Sequence, residues 1–135
     1  MERLPLRQVT PALLALALAA GASHAQSGRM MPPARVSCER GLTSYFGKVT
    51  GYRRMKSAVW LRIATDYDTV EEVTVRDPNE LDPARHFLYR GQPFAATDWA
   101  RIESKPGKLR PGTRATAWIC GDGSTPLVDW NGAAE

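Results

Sequence analysis

The sequence predicts a mainly β domain. Three segments between Leu42 and Val75 alternate apolar and polar residues at a spacing of two, and two more, Arg114–Cys120 and Leu127–Trp130, flank a Gly-Asp-Gly turn. A third observation is a single pair of cysteines, Cys38 and Cys120, in a chain whose first residues look like an export signal.

Taken in order, Met1–Thr10 carries Arg3 and Arg7, and Ala12–Ala20 contains only Ala and Leu. Ser23-His24-Ala25 then sets small residues where a signal peptidase reads before Gln26. Residues 1–25 are therefore expected to be a cleavable signal peptide, since so short an apolar run falls well below the ~20 residues of a membrane-spanning helix. The expected location is periplasmic or secreted. Residues 26–35, with turn formers and no apolar period, read as a mobile leader, and residues 36–135 as one domain.

Leu42–Arg54 reads as a long, bent strand, with Gly47 and Gly51 as places for bulges. A polar turn leads to a second strand, Ala58–Thr65, and Asp66-Tyr67-Asp68 turns the chain into a third, Thr69–Val75, so that the three form a meander. Beyond Asp77-Pro78 the period changes. Pro83 behind Asp82 suits the first turn of a helix carrying His86, Phe87 and Tyr89, and Thr97-Asp98 suits the start of another with Trp99 and Ile102. Lys105–Lys108 and Arg110–Gly112 are turns. A terminal hairpin follows.

This order of three meandering strands, a helical connection and a hairpin resembles the five-stranded Greek-key barrel of the oligonucleotide/oligosaccharide-binding (OB) type. The resemblance rests on architecture over the mature chain. It implies that the first strand lies antiparallel beside the fourth, so that Cys38 and Cys120 meet within ~7 Å between α-carbons and their disulfide closes the barrel seam. A small two-sheet β-sandwich of the same strands is the alternative.

Strand alternation assigns faces. Trp60 lies opposite Leu61 and Ile63, Trp118 lies opposite Ala117 and Ile119, and Trp130 near the terminus is expected to cap the barrel end.

The side-chain inventory argues against catalysis. With the cysteines paired, a Ser or Thr nucleophile has only His86 to serve it in the mature chain, and His86 stands in a helical segment between Arg85 and Phe87. Glu71 and Glu72 point to opposite sides of a strand, and Asp66-Tyr67-Asp68 has turn composition. Asp66, Asp68, Asp122 and Asp129 do not form a calcium-loop pattern. No enzymatic activity, cofactor or metal is expected.

Two basic clusters remain. Arg53, Arg54 and Lys56 surround the first strand turn, and Arg101, Lys105, Lys108, Arg110 and Arg114 approach the fourth strand. In OB-type barrels the first–second strand loop frames the ligand face, so Tyr52, Arg53, Arg54, Lys56 and Trp60 are the expected ligand-binding residues, combining charge with stacking surface. The bland alternative is a solvated loop on a protein of net charge +4. Export disfavours nucleic acid and leaves an envelope glycan, an anionic ligand or an envelope protein as the expected partner of a non-enzymatic binding module. Two other readings share the same fold. One is an assembly component of an envelope complex, whose leader orders on docking; the other is an inhibitor of an exported hydrolase, using the long stretch Asp77–Thr97.

Overall fold

The computed structural model describes residues 31–133. The expected signal peptide, its cleavage point and the first half of the leader lie outside the described residues. The strands are β1 (Leu42–Arg54), β2 (Ala58–Thr65), β3 (Val70–Arg76), β4 (Phe87–Tyr89), β5 (Gln92–Pro93), β6 (Glu103–Lys105), β7 (Lys108–Leu109), β8 (Thr113–Cys120) and β9 (Leu127–Ala133). A 3₁₀ turn at Pro83–His86 precedes β4, and another at Ala96–Asp98 runs into the four-residue helix α1 (Trp99–Ile102).

The main sheet has seven strands in the order β3-β2-β1-β8-β9-β4-β5; β6 and β7 pair separately. The meander forms as expected, with Tyr52 opposite Leu61 and Leu61 opposite Val73. The register of β1 against β2 shifts between Val49 and Gly51, the bulge that the glycines announce. β1 also lies antiparallel to β8, with Leu42 opposite Cys120. Cys38 and Cys120 are disulfide-bonded with α-carbons 5.3 Å apart. Backbone bonds from the Gly121 N–H to the carbonyls of Arg40 and Gly41 hold the same seam.

The sheet curls around one core. Val59, Leu61, Ile63, Val73 and Val75 from β2 and β3 share a buried cluster with Phe87, Val128 and Trp130 from β4 and β9, at the other end of the strand order. The expected five-stranded closed barrel is corrected in strand number and closure, because among the described residues the sheet has seven strands and no hydrogen-bonded pairing joins its two edges. The flank of β9 is taken instead by β4, which runs parallel to it with Phe87 opposite Val128 and Tyr89 opposite Trp130.

Phe87–Tyr89 was expected to continue a helix. It is a strand because Phe87 and Leu88 are buried on opposite sides, Phe87 in the main core and Leu88 with Trp118 and Leu127, which only an extended backbone allows. The helical reading holds just before it, where the Asp82 carboxylate accepts from the Ala84 N–H and Pro83 starts the turn.

Face assignments from alternation hold for β2 and β8. Leu61 and Ile63 are fully buried while Trp60 is half-buried on the other side, and Ala115 and Ala117 line the core that Trp118 faces away from. Trp130, expected to cap an end, lies fully buried in the core centre, edge-to-face with Phe87 at 5.5 Å and with Tyr52 at 6.1 Å. Among the described residues, no helix is long and apolar enough to cross a membrane.

Candidate anion-binding site

The five residues expected to bind a ligand are divided by the pleat of β1. Tyr52 and Arg54 point inward to Glu103, whose side chain is only 4% exposed. The Tyr52 hydroxyl donates to Glu103 Oε2 at 2.7 Å, Arg54 Nη1 donates to Oε1 at 2.8 Å, and the Gly107 N–H donates to Oε2 at 3.0 Å. Burial, then the bond to Glu103, pushes the Tyr52 phenol far above its ordinary range, so it stays protonated. The Arg54 guanidinium also lies 3.6 Å from the Trp99 ring centroid. These groups serve as a structural clamp between β1 and β6.

Arg53 and Trp60 sit directly opposite each other on the outer face of the sheet. The Trp60 ring covers Gly51, where an added Cβ would meet ring atoms at 2.9 Å, and the Arg62 guanidinium lies 5.2 Å from that ring. Lys56 is exposed in the turn after Arg54. The structure therefore brings Arg53 together with Trp60, places Lys56 in the adjoining turn, and turns Tyr52 and Arg54 to the other side.

A different cluster of arginines converges on a cleft. An open hollow of about 750 Å³ is lined by Tyr89, Arg90, Gln92, Asp98, Arg101 and Arg110, together with Ala100 and Ala133. Arg90 and Gly91 both have left-handed backbones, φ 47° and 78°, forming the tight turn between β4 and β5. That turn is pinned to β9 by the Arg90 N–H on the Trp130 carbonyl and the Gly91 N–H on Asp129 Oδ1. The guanidinium carbons of Arg90 and Arg101 lie 5.6 and 5.3 Å from the Tyr89 ring centroid.

The other two arginines are placed by α1 and the turn before it. Arg101 Nη1 is 3.5 Å from the nearly buried carboxylate of Asp98, which also accepts from the Ala95 N–H. Arg110 directs Nε and Nη2 at the Ala100 carbonyl, at 3.1 and 2.9 Å. Among the described residues, Asp98 is the one acidic residue lining the cleft, so among them three guanidiniums face one carboxylate and positive charge is in excess.

Arg101 and Arg110 belong to the basic run expected near the fourth strand, whereas Arg90 stands outside it. The available signal was Arg90-Gly91, a dipeptide that suits a tight hairpin turn, but it fell in a stretch read as helical. His86 pairs through Nε2 with Asp77 Oδ2 at 2.9 Å and fastens the chain after β3. Among the described residues, no group of three or more His, Cys, Asp or Glu side chains is placed to hold a metal ion. The chain finds no match among known protein families, curated proteins or solved structures.

Proposed function

We propose that this protein is an exported, non-enzymatic binding module that holds an anionic ligand in the Arg90–Arg101–Arg110 cleft. The observation that carries the reading is the convergence of three guanidiniums on one open hollow, with Arg110 held by two hydrogen bonds to the Ala100 carbonyl of α1 and Arg101 paired with Asp98 before any ligand arrives. Planar guanidiniums suit the paired oxygens of carboxylate, sulfate or phosphate, and pre-positioning lowers the ordering cost of binding. A carboxylated or sulfated envelope glycan is the ligand class that fits both this chemistry and export. The Cys38–Cys120 disulfide supports an oxidising compartment. An OB-like architecture for the domain is part of the same proposal, supported by the succession of the five long strands, β3-β2-β1-β8-β9.

The test is titration with inorganic pyrophosphate and with a sulfated oligosaccharide, followed by NMR at arginine side chains. The reading expects shifts at Arg90, Arg101 and Arg110 and affinity that falls steeply with salt. Perturbation confined to Arg53, Lys56 and Trp60 would move the site to the surface predicted from sequence. No binding of either probe would remove the anion reading.

A further inference from the structure

A second hollow adjoins the arginine cleft at α1. It measures about 340 Å³ and is lined by Arg54, Ala96, Trp99, Lys105 and Pro106, while Ala100 lines both spaces. Ala100 is exposed and carries only a methyl group, so the divide between the two hollows is low. In the second hollow Arg54 spends one N–H of its guanidinium on Glu103 Oε1 and lies over the Trp99 ring at 3.6 Å. These contacts fix the group while its side chain stays 34% exposed, with further N–H donors unspent on Glu103. Lys105 is exposed beside it.

The charges on the two sides of Ala100 are unevenly matched. The acids Asp98 and Glu103 are each paired already, with Arg101 and with Arg54. Among the described residues, Arg90, Arg110 and Lys105 make no ion pair, the first two on the cleft side of Ala100 and the third on the other. A single small anion in the arginine cleft leaves Lys105 unmatched, whereas a chain with an anionic group on successive units matches charge in both hollows. We propose that the ligand is a linear polyanionic oligosaccharide, which crosses Ala100 and sets a second carboxylate or sulfate beside Lys105 and Arg54. The bound species is then a chain rather than one anion, which rests on the cleft reading and extends it. Linking the two contacts makes the second intramolecular, so affinity should grow with chain length until both hollows are spanned and then level off.

Calorimetry with size-fractionated heparin fragments, from disaccharide to octasaccharide, tests this at about 0.15 M salt, where charges more than about 8 Å apart are largely screened. The wild type should gain at least about tenfold in affinity between the disaccharide and the spanning length. Lys105→Glu should remove most of that gain and leave disaccharide affinity within about twofold. The same substitution turns the like-charged cross-strand pair of Lys105 and Lys108 into an opposite-charged one, so the β6–β7 hairpin is not weakened by it. Arg53→Glu, an equal reversal of charge on the outer face of the sheet, should keep the gain. Equal affinity at every length, or a gain that Lys105→Glu leaves intact, would overturn the second contact while the cleft reading stands. A gain lost equally in both variants would come from net charge alone and would overturn it too. No binding at any length would remove the cleft reading and the chain proposal together.

Discussion

The Tyr52 hydroxyl and the Glu103 carboxylate meet at 2.7 Å across 51 residues of sequence. Glu103 also pairs with Arg54, so a single buried acid ties β1 to the β6–β7 hairpin and draws two basic-loop residues inward. A buried carboxylate is costly unless it is paired and hydrogen-bonded, and here both oxygens accept, from two side chains and the Gly107 N–H.

Glu103→Ala should therefore destabilise the fold by about 2–3 kcal/mol, discounted from a fully buried pair because Arg54 is partly solvated. Denaturant unfolding checks the value. Arg53→Ala, on the outer face, should change stability by less than about 0.5 kcal/mol, and equal costs at the two positions would contradict the division of β1 into a clamped and an open face.

Gly47 lies where a side chain cannot fit. An added Cβ would collide with the backbone carbonyl of Ala64 on the neighbouring strand. Because a backbone atom cannot swing aside, Gly47→Ala should cost at least about 2 kcal/mol, read as a lowered denaturant midpoint. Gly41→Ala, which meets nothing within 4 Å, is the matched control.

The disulfide spans 82 residues of sequence, and the loop-entropy account assigns such a closure about 4.5 kcal/mol. Replacing both cysteines by serine should lower the melting temperature well beyond the effect of either surface control. The Gly121 bonds to Arg40 and Gly41 should keep native-like strand content in the folded fraction, measured by circular dichroism.

Acid should loosen the connection after β3. His86, by its hydrogen bond, is the main cause that holds the Asp77 carboxyl below its ordinary value, helped by the N–H groups of Asn79 and Leu81. A carboxyl whose folded-state pKa is depressed stabilises the fold above its unfolded pKa of about 3.9, and that stability is lost as pH falls through the folded value. Melting temperature should accordingly drop below about pH 4. Asp77→Asn should flatten that acid limb, and an unchanged limb would place the acid sensitivity elsewhere.

Much of the β framework was legible because alternation survives wherever one face is buried. Leu61 and Ile63 against Trp60, and Ala115 and Ala117 against Trp118, gave both the strands and their faces. Phe87-Leu88-Tyr89 carried no such signal, since a three-residue strand buried on both sides has no period to read. Missing β4 also hid why the sheet stays open and why Trp130, beside it, is central rather than terminal. The arginine cleft was unreadable for a related reason. Arg90, Arg101 and Arg110 are brought together by the β4–β5 turn and α1, and nothing in their linear spacing announces that meeting. Arg53 and Arg54, adjacent in sequence, are instead parted by the pleat.

The most direct test of the central claim is the affinity for a sulfated oligosaccharide of the wild type, of Arg90→Glu/Arg101→Glu and of Arg53→Glu/Lys56→Glu, measured by calorimetry at two salt concentrations. Losing charge-assisted bonds and reversing two charges in the cleft should weaken binding at least about tenfold, and the outer-face variant should bind within about twofold of wild type. Undiminished binding by the cleft variant, with loss in the outer-face variant, would contradict the account and return the site to Arg53, Lys56 and Trp60.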